Sequence, residues 1–149
     1  MELIDRITED IKSAMFSKDK LKLDALRGIK KELLEAKTAK GSDGTITEEV
    51  GIKIMQKMVK QRKESAQIYI EQNRPELAEK ELDEAKVISA YLPEQMSEEE
   101  LTTVIKSIIT ERGATSAKDM GKVMGLATKQ LAGKIEGRLI SEKVKSLLN

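Results

Sequence analysis

Apolar residues recur at intervals of three and four along most of this chain, a spacing that puts them on one side of an α-helix. The series begins at Leu3, Ile7 and Ile11 and ends at Val144 and Leu148. These residues are aliphatic, since the 149 residues include two Tyr, one Phe and no Trp. Sheets draw on aromatic and β-branched side chains, whereas Leu, Met, Ala, Glu and Lys favour helix. The pattern therefore predicts an all-α protein.

Capping residues and breakers divide the first 92 residues into four predicted helices, a helical N-terminal subdomain. Asp19 and Thr47 are suited to begin the second and third helices, and Pro75 suits the first turn of the fourth. Each of the four helices has an apolar face that is expected to contribute to the core of this subdomain. In helix order, these faces are Leu3, Ile4, Ile7, Ile11, Ala14 and Met15; Leu23, Leu26, Ile29, Leu33 and Ala36; Val50, Ile54, Met58, Ser65 and Ile68; and Leu77, Leu82, Ala85, Ile88 and Leu92.

A boundary is expected at Leu92-Pro93, because the residue before a proline is pushed out of helical geometry. Residues 1–92 would form the N-terminal subdomain, and residues 93–149 a small three-helix C-terminal bundle. Ser97 with Glu100 is a capping box that opens the fifth helix.

The same kind of signal marks the last two helices. Ser116 with Asp119 forms a similar capping pair ahead of the predicted sixth helix, with Asp in place of the Glu of a capping box. Gly133 is expected to end that helix. Residues 133–140 are expected to be a loop, after which Ser141 would cap a short last helix.

Absent residue types restrict the chemistry. The chain has no Cys and no His, which excludes disulfides, thiolate sites and the commonest general base. The remaining Ser and Glu residues fit caps or solvated helix faces, so no catalytic residue, cofactor or metal site is predicted. No apolar stretch resembles a signal peptide or a membrane span. We therefore expect a soluble cytoplasmic protein with no membrane partner.

Basic residues accumulate near the C-terminus. Residues 112–149 contain eight Lys and Arg against three acidic residues, a net charge of +5 over 38 residues, whereas the whole chain is at +1. Such a stretch could bind nucleic-acid phosphates, although charges on a helix are more often only its solvated face. Lys118, Lys122 and Lys129 recur at intervals of four and seven, which puts them on one side of the predicted sixth helix. The candidate nucleic-acid contacts are Lys118, Lys122, Lys129, Lys134, Arg138 and Lys143.

Gly121 and Gly125 lie within the predicted sixth helix, where each costs about 1 kcal/mol relative to Ala. The favoured interpretation is close packing of this helix against a neighbouring helix. The alternative is that the backbone of a partner approaches the glycine face. Their spacing does not match a phosphate-binding P-loop.

Several separated segments resemble the YqeY-like proteins, which share the GatB/YqeY domain. The segment Lys118 to Met124 resembles the hallmark of that domain, and Tyr91 to Leu101 resembles the linker before it. Further upstream, Leu26 to Lys30, Lys60 to Ser65 and Asn73 to Ala78 resemble motifs of the same family. The resemblance covers nearly the whole chain and leaves no room for an extra domain.

The resemblance implies a C-terminal subdomain similar to the tail of the B subunit of glutamine-dependent aspartyl/glutamyl-tRNA amidotransferase. The larger enzyme is a carbon–nitrogen ligase with glutamine as amido donor, and the implied partners are tRNA, amidotransferase subunits or a tRNA synthetase. Stand-alone members resemble only the tail and lack the domain in which the carboxylate is activated. We therefore expect an accessory tRNA-binding module that is not catalytic alone.

Two other functions remain open at this stage. The chain could be a protein-interaction adaptor with no RNA role, working through an apolar patch or the acidic edge Glu98–Glu100. It could also be a true amidotransferase component, which would require glutamine- and ATP-dependent amidation of charged tRNA when the other subunits are present.

Overall fold

The structure is a computed structural model that describes residues 2–148. Seven α-helices and no strand occur in that range, which confirms the prediction of an all-α fold. The helices are α1 (Leu3–Phe16), α2 (Lys20–Thr38), α3 (Glu48–Glu71), α4 (Pro75–Ser89), α5 (Glu98–Arg112), α6 (Met120–Gln130) and α7 (Gly137–Leu148), with a 3₁₀ turn at Ala117–Asp119.

The chain divides into two compact units, Met1–Leu92 and Pro93–Asn149, each with its own aliphatic core. The largest fully buried side chains of the first unit are Ile7, Leu26, Ile29, Leu33, Met55 and Ile88. Those of the second unit are Leu101, Ile105, Val123, Leu131, Ile140 and Val144.

Local signals position the helix starts of the first unit. The Asp19 carboxylate accepts a hydrogen bond from the Lys22 amide at 3.1 Å, and the Thr47 hydroxyl accepts one from Val50 at 3.2 Å. Both side chains satisfy amides that have no partner inside the helix. The predicted caps of α2 and α3 are confirmed, as is Pro75 in the first turn of α4.

The buried face of α3 differs from the predicted stripe. Val50 and Ile68 are exposed, while Gly51, Met55 and Val59 are buried. A Cβ atom at Gly51 would lie only 2.7 Å from Leu3 Cδ2, so α3 is packed closely at a position where a side chain would collide. Glycine has no apolar side chain, so Gly51 did not mark the buried face in the sequence pattern. The predicted buried face of α3 therefore lay beside the face that is buried in the structure. Met15 and Leu82, also predicted to be in the core, are exposed.

An ion cluster joins α3 to α4 in the first unit. Arg62 Nη1 lies 2.8 Å from Glu84 Oε2 and 3.3 Å from Glu81 Oε2, and Glu84 is only 5% exposed. Gly28 of α2 lies beside the same guanidinium, since a Cβ atom there would be 3.6 Å from Arg62 Nη2. The segments around Gly28 and Arg62, which the sequence singled out by resemblance, therefore meet at this cluster.

The second unit begins with α5, whose predicted cap is present. The Ser97 hydroxyl accepts a hydrogen bond from the Glu100 amide at 3.2 Å. Gly113 ends the helix in the left-handed conformation, with φ of 61°, where glycine carries no steric penalty.

The last helix is longer than expected. Helix α7 begins at Gly137 rather than after Ser141, and the Glu136 carbonyl accepts hydrogen bonds from the Leu139 and Ile140 amides. Ile140 is buried on the same face as Val144 and Leu148, four and eight residues later. Burial of Ile140 favours the earlier start, so the predicted Ser141 cap is wrong.

Candidate nucleic-acid interface

Helix α6 has a buried face and a basic face. Val123 and Ala127 are fully buried in the core of the second unit, whereas Lys122 and Lys129 are exposed. The pair Lys122 and Lys129 is separated by seven residues, two helical turns, so the two side chains leave the helix on one side. The core of the unit therefore fixes the direction in which this side of α6 points.

Lys118 is exposed, but it lies on the 3₁₀ turn Ala117–Asp119, which directly precedes α6. Two side chains stabilise this turn. The Ser116 hydroxyl accepts a hydrogen bond from the Lys118 amide, and Asp119 Oδ2 accepts one from the Thr115 amide at 3.0 Å. The predicted Ser116–Asp119 signal therefore organises the turn that carries Lys118, and α6 itself starts at Met120.

Gly121 and Gly125 are exposed on α6, and a Cβ atom at either position would meet no atom of residues 2–148 within 4 Å outside the adjacent turns of α6. The favoured expectation of close packing against a neighbouring helix is therefore wrong. The two glycines instead leave the helix backbone uncovered, because residues four apart share a face and neither carries a side chain. This bare strip is next to Lys122 in the sequence and one turn from Lys118 and Lys129.

The segment before α5 donates two hydrogen bonds to the loop that carries Lys134. Gln95 Nε2 donates to the Gly133 carbonyl at 2.8 Å, and the Met96 amide donates to the Lys134 carbonyl at 2.9 Å. Gly133 is buried with φ of 80°, a left-handed conformation that favours glycine. The Lys134 side chain is exposed while its backbone is held in place.

The last two predicted contacts differ from the other four. Arg138 lies on α7, not in a loop, and forms ion pairs with Glu142 at 3.0 Å and Glu136 at 3.6 Å. The carboxylates of Glu142 and then Glu136 raise the pKa of the Arg138 guanidinium. Lys143 is half-buried. Much of the Arg138 charge is therefore already balanced within the protein.

The other four predicted cations are all exposed: Lys118, Lys122, Lys129 and Lys134. Within residues 2–148 none of them forms an ion pair. The same described range contains no group of three or more His, Cys, Asp or Glu residues arranged to hold a metal ion. What this surface offers chemically is attraction of a polyanion beside an uncovered helix backbone.

The sequence predicted these residues by charge and spacing, but it missed the residues that position them. Gln95 and Met96 were noted only as part of a linker resembling the family. A polar side chain between a proline and a helix cap gave a weak signal, because its partner lies 38 residues away.

Comparison with known proteins gives one family. The sequence profile described as "Yqey-like protein" matches residues 4–148. Relatives named "Altered inheritance of mitochondria protein 41, mitochondrial" include that of Pyrenophora tritici-repentis, 30% identical over 98% of this chain and 81% of the relative. The protein of that name from Kluyveromyces lactis is 27% identical over 96% of this chain and 74% of its own length. The one from Candida glabrata is 31% identical over 90% and 71%.

These names correct the predicted location. The expectation of a cytoplasmic protein is wrong, because the similar proteins are named as mitochondrial. That expectation rested on the lack of a signal-like or membrane-spanning apolar stretch. Such a lack does not distinguish between the aqueous compartments of a cell, so it could not support the choice. The resemblance seen in the sequence, in contrast, is confirmed across nearly the whole length: the chain belongs to the YqeY-like protein family.

Proposed function

We propose that the second unit is an accessory tRNA-binding module and that the chain has no catalytic activity of its own. The observation that carries the proposal is the basic face of α6, where Lys122 and Lys129 are exposed and lack ion-pair partners within the described residues. Unpaired surface cations attract phosphates without first breaking an internal contact. The counterions condensed on the polyanion are also released when these cations neutralise its phosphates, which adds to affinity at low salt.

The bare strip of Gly121 and Gly125 supports the same proposal. A glycine inside a helix costs stability, and among the described residues no neighbouring group lies within 4 Å of the Cβ position that would explain the lack of a side chain at either residue. An RNA backbone could approach the α6 backbone at these positions while Lys118, Lys122 and Lys129 contact its phosphates. Lys134, on a loop fixed by Gln95 and Met96, would add a contact beyond the end of α6.

Arg138 and Lys143 contribute less in this proposal. Arg138 would have to exchange Glu136 and Glu142 for a phosphate, so its net gain on binding is small. The proposed set is therefore narrower than the six residues expected from the sequence.

Titration of unfractionated tRNA into the full chain at several salt concentrations tests the proposal. With about four phosphate contacts, the logarithm of the association constant should fall against the logarithm of salt concentration with a slope of about −3 to −4. No binding at low salt would reject the proposal. Binding that does not respond to salt would show that phosphate contacts are not its source.

A protein-interaction adaptor is the second candidate, favoured by the acidic edge Glu98–Glu100. All three carboxylates are exposed at the start of α5. Capture of partners from a lysate, with and without ribonuclease, separates the two functions. Partners of an adaptor should remain after nuclease treatment, whereas those bridged by RNA should be lost.

A further inference from the structure

The one phenylalanine of the chain lies almost entirely in solvent. Phe16 ends α1 and is 90% exposed, and its neighbour Met15 is 54% exposed. In a chain whose cores are otherwise aliphatic, a Phe would be the largest apolar side chain available for burial. Its exposure cannot be explained by packing within the first unit.

The turn that carries Phe16 is well held. Ala14 is 2% exposed in the core, and its carbonyl accepts hydrogen bonds from the Asp19 amide at 3.0 Å and the Ser17 hydroxyl at 3.2 Å. The Lys18 amide donates to the Met15 carbonyl at 3.3 Å. Phe16 is therefore presented by a fixed connection between α1 and α2.

Lysines flank this apolar tip along the sequence. Residues 12–22 contain Lys12, Lys18, Lys20 and Lys22 against a single acid, Asp19, a net charge of +3. All four lysines are exposed, and none is in an ion pair within the part of the chain that the structure describes. The Asp19 carboxylate is engaged as the cap of α2. The tip consisting of Phe16, Met15 and the four lysines is called the α1–α2 tip.

We propose that the α1–α2 tip docks on the surface of an anionic lipid membrane. Phe16 and Met15 would enter the interfacial layer, and the lysines would lie against the charged headgroups. A single-stranded nucleic acid, the other polyanion that uses aromatic side chains, binds along grooves in which successive bases stack. Phe16 instead stands out from the protein as an exposed apolar side chain beside Met15. A lipid surface can deform around such a side chain.

This contact needs no spanning segment, and no helix among residues 2–148 is long and apolar enough to cross a membrane. The earlier expectation of no membrane partner considered only spans and signal sequences, and the proposal revises it. The contact would be weak and reversible, because each lysine near an anionic surface increases binding by only about fivefold. The proposal does not depend on tRNA binding by the second unit.

The variant Phe16→Trp tests the proposal, because the chain contains no other Trp. It is mixed with vesicles of phosphatidylcholine containing about one third phosphatidylserine, a fraction chosen to give a strongly anionic surface. We expect a blue shift of the Trp emission and quenching by lipids brominated on the acyl chain. Both effects should vanish at high salt and on pure phosphatidylcholine. The matched control is Ile70→Trp, which places Trp at another exposed apolar position, 52% exposed and next to Glu71.

Sedimentation of the unlabelled chain with the same vesicles gives a second readout. Phe16→Ser and, separately, Lys18→Gln with Lys20→Gln should reduce the bound fraction, the latter by about fivefold for each lysine. An unshifted Phe16→Trp spectrum, or equal shifts at positions 16 and 70, overturns the proposal. A spectrum changed by a single-stranded oligonucleotide but not by vesicles also overturns it and assigns the tip to nucleic acid.

Discussion

The side-chain amide of Gln95 donates a hydrogen bond to the backbone carbonyl of Gly133 at 2.8 Å, although the residues are 38 positions apart. The same amide nitrogen also donates to the Pro93 carbonyl at 2.8 Å. The segment that follows the domain boundary is thus part of the second unit. It closes the loop from which Lys134 projects.

Replacing Gln95 by Ala should therefore loosen that loop. We expect Gln95→Ala to lower the free energy of unfolding by about 1 kcal/mol, the usual net contribution of such hydrogen bonds. Hydrogen exchange at the Met96 amide should accelerate, since its acceptor is the carbonyl of Lys134. Glu94→Ala, at an adjacent exposed position, serves as the control, and equal behaviour of the two variants would contradict the assigned role.

A second prediction concerns the ion cluster of Arg62 with Glu81 and Glu84. Arg62→Met keeps the apolar stem but leaves the buried Glu84 carboxylate without its partner at 2.8 Å. We expect a loss of about 2 kcal/mol, less than for a fully buried pair because the Arg62 side chain is 28% exposed. In urea unfolding, Arg62→Met combined with Glu84→Gln should cost less than the sum of the single changes. Strict additivity would contradict the coupling, and Lys63→Met supplies the exposed control.

The glycines of α6 should respond to substitution in the opposite way from Gly51. Gly121→Ala and Gly125→Ala add a methyl group in open space and should each stabilise the chain by about 0.5–1 kcal/mol. Gly51→Ala should destabilise it, because the new Cβ would lie 2.7 Å from Leu3 Cδ2. If the bare strip contacts RNA, the two stabilised variants should nevertheless bind tRNA more weakly. Destabilisation by alanine at 121 or 125 would indicate a packing contact.

The environment of Tyr91 should make the free energy of unfolding depend on pH in the alkaline range. Its hydroxyl donates to Asp10 Oδ2, and burial and then the Asp10 carboxylate raise the pKa of this phenol above the usual 10.0. An unfolded Tyr ionises near pH 10 while the folded one keeps its proton. The resulting stabilisation is complete below pH 10 and is lost as the pH rises above it.

Urea unfolding at pH 8 and pH 11 checks this sign with Tyr91→Phe as comparator. The stability advantage of the unmodified chain over the Phe variant should shrink at the higher pH, since Phe does not titrate. An advantage that stays constant or grows would contradict the assigned hydrogen bond.

The sequence predicted those features that depend on neighbours in the chain. Asp19, Thr47 and Ser97 cap helices because each needs only the amide three residues ahead. The exposure of Lys122 and Lys129 also depends on local spacing, since Val123 and Ala127 on the same helix are buried and define which side faces solvent.

What the sequence could not predict depends on distant contacts. Gly51 is buried because Leu3 lies over it, and Gly133 is held by Gln95 from across the unit. Gly121 and Gly125 give the same sequence signal as packed glycines, and only the structure shows that their Cβ positions are open, with no side chain of residues 2–148 packed against them. Phe16 was not singled out at all, since apolar patterns do not show which large side chains remain in solvent.

We propose that Lys122 and Lys129 on α6 contact tRNA, and a charge-reversal titration tests these two contacts most directly. Lys122→Glu with Lys129→Glu is compared with Lys40→Glu and Lys80→Glu, two exposed lysines of the first unit, so that both variants carry the same net charge. We predict that the α6 variant binds tRNA at least about tenfold more weakly at physiological salt. The slope of the logarithm of its association constant against the logarithm of salt concentration should also become shallower by about two, one for each phosphate contact removed. The control variant should bind nearly as the unmodified chain does, and equal losses in both variants, or no loss in either, would contradict the claim.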